Sequence, residues 1–269
     1  IMSIKFKLAK LESQVFQTEI EEVNSFEECY KKISENKDNS SFVYSWNRAD
    51  TINKFGSGFI FKNKQIKNYR KNIKLKKMIE NRKSNLMPFS LWNKYSISVV
   101  NSLFYKFNKL KPMRQEEGFF ETIFPYFGKE TYFSLFGKKG FIESQMLIPS
   151  DNLFEFINEF TNLQKKMEPV ITLFSLKNMS GKQTLLRFED NCICLTFDFT
   201  KSKKNLEFLD KLDALCIKYN CIPSIIKDSR LSKNVINQCY HHVDDFRNRL
   251  KNFDKQRCYQ SAISKKLEI

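Results

Sequence analysis

Residues 141–152 read Phe-Ile-Glu-Ser-Gln-Met-Leu-Ile-Pro-Ser-Asp-Asn, and the architecture turns on how this stretch continues. Phe141 to Ile148 has the length and apolar content of a strand, and Pro149-Ser150-Asp151 supplies the residue types that open a helix. In that helix Leu153, Phe156, Ile157, Phe160, Leu163 and Met167 share one face, and Pro169 stops it. Val170 to Leu176 and Thr184 to Phe188 read as strands. Cys192 to Phe199 is another, apolar nearly throughout, which predicts cover on both of its faces. Leu206, Leu209, Leu212, Cys216 and Tyr219 line a second helix. A short apolar run, Cys221-Ile222-Pro223-Ser224-Ile225-Ile226, then delivers Lys227 to a strand tip. The β-α-β-β-α-β order from 141 to 227 predicts a ferredoxin-like unit.

Upstream, residues 2–9 and 14–21 alternate in strand period. Ser25 with Glu28 forms a capping-box pattern ahead of Phe26, Cys29, Tyr30 and Ile33. Phe42 to Trp46 and Gly58 to Phe61 are short strands. Between Leu91 and Phe136 aromatic residues are dense and helical period is poor, which predicts strands and loops. Downstream, Asp228 and Ser229 are N-cap types, and one long helix from Leu231 to Asp254 places Val235, Ile236, Cys239, Val243, Phe246 and Leu250 on one side. The sequence shows no internal repeat. The expected fold is α+β, a large and mainly antiparallel sheet with helices on one face.

Seven glycines in 269 residues leave no GxGxxG and no GxxxxGK[ST], so neither phosphate cradle is complete here. A net charge of +16 favours polyanionic partners: nucleic acid, an anionic membrane face or a phosphate-bearing substrate. Lys62 to Lys83 concentrates it, with ten Lys or Arg against Glu80. Seven cysteines with no CxxC pair read as reduced thiols in the cytoplasm. No apolar run reaches the ~18 residues of a membrane span. Residues 1–9 have no charged head followed by an apolar block. The strand period there suggests a chain that starts inside a strand, as in a fragment of a longer protein or one half of a split one.

His241-His242 beside Asp244-Asp245 invites a metal, but neighbours on a helix point about 100° apart and cannot readily share one ion. No metal site is expected, and with only two adjacent histidines no Ser-His-Asp set can be assembled. What remains is a polar set on strands: Gln145, Lys177 just after 170–176, and Lys227. A lysine offers a point charge to phosphate or to a developing oxyanion. Lysines are mostly exposed, so local pattern alone also fits a solvated loop lysine at 227.

The C-terminal run Lys227-Asp228-Ser229-Arg230, then Tyr240, Val243-Asp244-Asp245, Arg247-Asn248-Arg249 and Ala262 to Glu268, resembles the end of the decaprenylphosphoryl-β-ribose 2-oxidases, flavoproteins of the vanillyl-alcohol-oxidase type. Ile1-Met2-Ser3, Leu91 to Tyr95, Leu103 to Lys106, Pro125 and Gly137 to Gln145 continue the match in order, so it spans the chain with gaps. The resemblance implies that residues 1–12 end an FAD-binding domain, 13–220 form the substrate domain, and 221–269 return to the FAD-binding domain. The phosphate-cradling portion would precede Ile1.

On that resemblance Lys227 would be catalytic, stabilising negative charge at the flavin, with Ile226 and Ser224 also on the cofactor. Gln145, Lys177, Glu143, Thr196 and Cys194 would line the substrate. Glu143 replaces a family glutamine, and Cys194 and Thr196 replace an Asn and a Cys, which puts the sugar's identity in doubt more than the flavin chemistry. The implied activity is FAD-dependent oxidation of a secondary hydroxyl on a polyprenyl-phosphate-linked sugar, as half of a 2-epimerisation. It would take place in the cytoplasm, peripheral to the inner face of the membrane, with an NAD(P)H-dependent reductase as a candidate partner and no nucleic acid. The alternatives are an aldonolactone or alditol oxidase of the same class, a basic module for nucleic acid or anionic membrane, and a catalytically idle fragment.

Overall fold

The computed structural model describes residues 3, 5–7, 12–36, 40–67, 86–124 and 131–269. Its backbone is one eight-stranded sheet in the order β4-β1-β3-β2-β6-β7-β5-β8. The strands are β1 (Val15–Val23), β2 (Phe42–Asn47), β3 (Gly58–Gln65), β4 (Arg114–Gly118), β5 (Phe141–Pro149), β6 (Ile171–Met179), β7 (Cys192–Thr200) and β8 (Ile222–Pro223). Every recorded pairing is antiparallel.

The helices are α1 (Phe26–Glu35), α2 (Lys94–Lys109), α3 (Phe119–Ile123), α4 (Thr131–Ser134), α5 (Leu153–Met167), α6 (Lys203–Lys218), α7 (Lys233–Cys239), α8 (Val243–Phe253) and α9 (Ala262–Leu267). None among the described residues is long and apolar enough to cross a membrane.

The expected ferredoxin-like order is present: β5-α5-β6-β7-α6-β8, with β5 and β7 central and β8 and β6 outside. The first half repeats it as β1-α1-β2-β3-α2-β4, with β1 and β3 central. The two halves meet where β2 pairs β6 at Asn47↔Phe174, and the Ser45 hydroxyl accepts from the Leu176 N–H at 3.0 Å. The two halves share element order and strand order only.

Helices α1, α5 and α6 cover one face of the sheet. Phe26 stacks on Phe174 with centroids 6.3 Å apart, Phe160 on Phe197 at 4.8 Å, and Phe208 packs against Phe199 at 5.7 Å. All six rings are buried, each contributing roughly 1.5–3 kcal/mol of burial free energy. β7 is buried at all nine positions, as its apolar composition predicted. The expectation of helices on one face fails at α2. Phe104 sits 4.5 Å from Trp46 and Tyr105 5.0 Å from Phe59, and both partners point away from α1.

Other expectations are also corrected. Residues 94–109 are helical, not strand and loop; the Asn93 side chain accepts from the Tyr95 and Ser96 N–H groups at 2.9 and 3.0 Å, and Ser96 Oγ accepts from Asn93 N–H. Residues 184–188 form a turn, closed by Arg187 N–H on Thr184 O with Leu185 at φ 52°. The single helix over 231–254 is two, because Tyr240 leaves the helical path to place its hydroxyl 2.7 Å from Pro223 O. Asp228 and Ser229 do not cap it; Ser232 does, accepting from Val235 N–H. Of the strand expected over 2–9, residues 3 and 5–7 are not in a strand, and the remainder lies outside the described residues. So do most of residues 1–12, residues 68–83 of the basic stretch, and Pro125. Beyond α6, Ile222 and Pro223 of β8 pair with Leu147 and Met146 of β5 and form an edge of the sheet.

Candidate functional site

The face of β5, β6 and β7 turned away from α5 and α6 carries three cross-strand rows. Register places Glu143 opposite Asp198, Gln145 opposite Thr196 and Leu147 opposite Cys194. On the other side of β7, Ser175 lies opposite Thr196 and Lys177 opposite Cys194. Alternation along each strand brings these side chains to one face. Gln145 Nε2 donates to Thr196 Oγ1 at 2.9 Å, and the Gln145 amide oxygen is an acceptor in the same group.

Lys227 joins this surface from beyond β8. The chain leaves Pro223, Ser224 N–H donates to Gln145 O, and Asp228 N–H returns to Ser224 O, forming a tight turn. Lys227 Nζ lies 3.2 Å from Glu143 Oε1, while its side chain remains about half exposed, 47%. The structure therefore brings together Lys227, Glu143, Gln145, Thr196, Cys194 and Lys177. Ile226 is 89% exposed beside Lys227 and presents bare apolar surface. Ser224 is buried at 3% and is tied by its backbone, so it supports the turn without offering a surface contact.

The turn is anchored from below. Arg230 forms ion pairs with Asp213 at 2.6 Å and with Asp228 at 2.9 Å. Burial works against its charge, but these two carboxylates outweigh it and hold the guanidinium's pKa above its ordinary value. Lys266 Nζ donates to Ser229 O and Arg230 O, both at 2.9 Å.

Sequence reasoning missed Asp198. It is 3% exposed on β7, and its Oδ1 is buried without a hydrogen-bond partner, while Tyr132 donates to Oδ2 at 2.9 Å. Tyr132 also bonds Thr172 Oγ1, across a bulge in β6. Burial, joined by the charge of Glu143, raises the carboxyl from 3.8 to about 7, against the pull of Tyr132 and Lys227. The available signal was an aspartate in an otherwise apolar strand, where an unpaired charge is costly. Burial likewise raises Cys194 to about 11, so it lines the site as a neutral thiol.

A carboxyl whose folded-state pKa lies above its unfolded value stabilises the fold while protonated. That contribution is complete below the unfolded value near 4 and is lost as pH rises through about 7. Asp198→Asn cannot titrate. Urea unfolding from about pH 5 to about pH 8 should therefore show a fall in wild-type stability, of order a few kcal/mol, that is flattened in the variant. Parallel pH profiles would remove the raised carboxyl from consideration.

Among the described residues no three His, Cys, Asp or Glu gather as metal ligands; His242 Nδ1 lies 3.4 Å from Asp245 Oδ2. No family model matches the chain, and no curated protein matches its sequence.

Proposed function

We propose that this face binds the sugar of a polyprenyl-phosphate-linked substrate, and that the chain is the substrate-binding part of an FAD-dependent oxidoreductase acting on a secondary hydroxyl. The observation that carries the proposal is the position of Lys227: its ammonium meets Glu143 on the strand that also presents Gln145, above Thr196 and Cys194. A row of hydrogen-bonding side chains bordered by two lysines suits a polyhydroxylated, phosphorylated ligand.

The residues fit one part of the cofactor. Ile226 offers an exposed apolar surface for a planar ring, and the neighbouring ammonium can face a ring carbonyl. The sequence has no glycine-rich cradle for the phosphates, so on this proposal they would be held by residues outside this chain. Bound FAD supplies a hydride acceptor at N5. Asp198, buried beneath this row with Tyr132 on its Oδ2, would not touch the substrate and would act on the site through its charge beside Glu143. The Gln145 carbonyl orients sugar hydroxyls, Lys177 meets the phosphate, and Glu143 positions Lys227. Oxidation at this carbon supports one half of a 2-epimerisation, with an NAD(P)H-dependent reductase completing it.

The test is to produce the protein together with an FAD-binding polypeptide, fused or co-expressed. It should purify yellow and bleach anaerobically with a polyprenyl-phosphoryl pentose. A colourless product would overturn the proposal, and bleaching by a free alditol alone would move it to the alditol oxidases.

A further inference from the structure

Helix α2 is apolar on two opposite sides. Ile97 is buried and Phe104 packs on Trp46, toward the sheet. About half a turn away, Tyr95, Val99, Leu103 and Phe107 recur every fourth residue and are 81, 59, 62 and 62% exposed. Leu110, 85% exposed, extends the stripe past the end of the helix. A surface helix normally keeps one apolar stripe and a polar back, and a second stripe calls for a second apolar partner.

Charge indicates which partner. Residues 81–115 contain no Asp or Glu and seven Lys or Arg. On α2 itself Lys106 sits at the edge of the stripe, and Lys111 lies over the Phe107 ring with its nitrogen 5.1 Å from the centroid. Two copies of this surface would oppose cation to cation, which argues against a homodimer through it. Lys94 and Lys109, at the two ends of the helix, pair with Glu168 and Glu22 from other parts of the chain, and Lys106 and Lys111 border the anchors. Aromatic and aliphatic anchors beside such cations have the composition of an interfacial helix lying in a bilayer of anionic lipid.

We infer that the outer stripe of α2 docks this protein onto an anionic lipid surface, with Leu103 and Phe107 entering the headgroup–acyl boundary and the flanking lysines on lipid phosphates. The inference rests on α2 alone and stands whether or not the sheet face oxidises a sugar. If that face does act on a lipid-linked sugar, docking through α2 would hold it at the surface where such a substrate resides.

The experiment is flotation of the 269-residue chain with vesicles of phosphatidylcholine alone and of phosphatidylcholine mixed with phosphatidylglycerol. Wild type should float with the mixed vesicles and much less with phosphatidylcholine. Leu103→Glu combined with Phe107→Glu should lower partitioning about tenfold or more. Leu103→Ala with Phe107→Ala should also weaken it, without any change of charge, while far-UV circular dichroism stays that of wild type. Failure of wild type to bind the anionic vesicles would overturn the inference. So would equal binding by wild type and both folded variants, or a dimer seen in sedimentation that the alanine pair dissolves while vesicle binding is absent.

Discussion

On the proposed flavin chemistry, Lys227→Ala is expected to slow anaerobic flavin reduction by on the order of 10²–10³-fold while leaving the flavin bound. The size follows from what is removed. An ammonium aimed at developing negative charge contributes several kcal/mol only where the charge appears, so the loss falls on the rate of reduction and spares ground-state affinity. Unfolding is not a competing explanation, because the Lys227–Glu143 pair is about half exposed on the lysine side, and such pairs contribute little to stability. Stopped-flow bleaching at saturating substrate gives the rate, and the absorbance of the purified variant gives flavin retention. A variant that reduces its flavin at the wild-type rate would end the assignment of Lys227 to catalysis. Loss of flavin without loss of rate per bound flavin would make it a cofactor-holding residue only.

Arg230→Ala is expected to cost about 3–5 kcal/mol of folding stability. Asp228 is 1% exposed, and the Asp213 side chain is 15% exposed, so removing the guanidinium leaves two carboxylates facing each other with little access to water. The pairing is bidentate on Asp213, with Arg230 Nη1 and Nη2 donating at 2.6 and 2.8 Å, which adds geometric specificity to the charge. Guanidinium unfolding measures the loss. Arg230→Met combined with Asp228→Asn and Asp213→Asn should recover much of it, since replacing all partners avoids an uncompensated buried charge. A cost below about 1 kcal/mol for Arg230→Ala would show that the triad is hydrated and does not anchor the Lys227 turn.

Much of the fold was legible because the second half keeps a clean period. Leu153, Phe156, Ile157 and Phe160 recur on one side of α5, and the apolar run at β7 announced burial on both faces. The helix at 94–109 was illegible for a physical reason. It is apolar toward the sheet and again toward solvent, so its period of 3.6 is blurred, and its β-branched and aromatic residues favour strand. The cap Asn93 with Ser96 was the signal that could have revealed it.

By itself the sequence determined the β-α-β-β-α-β unit at 141–227, since hydrophobic spacing and turn residues act within a few positions of one another. It also presented Gln145 on a strand; Lys227, expected at a strand tip, lies in the turn that follows the two-residue β8. Only the tertiary structure decided that β2 and β6 join two such units into one sheet, and that α2 crosses to the other face. Only the register of β5 on β7 set Glu143 beside Asp198, and only the turn after β8 brought Lys227 to Glu143, because strand pairing between residues some fifty positions apart is fixed by packing across the whole sheet and leaves no local trace.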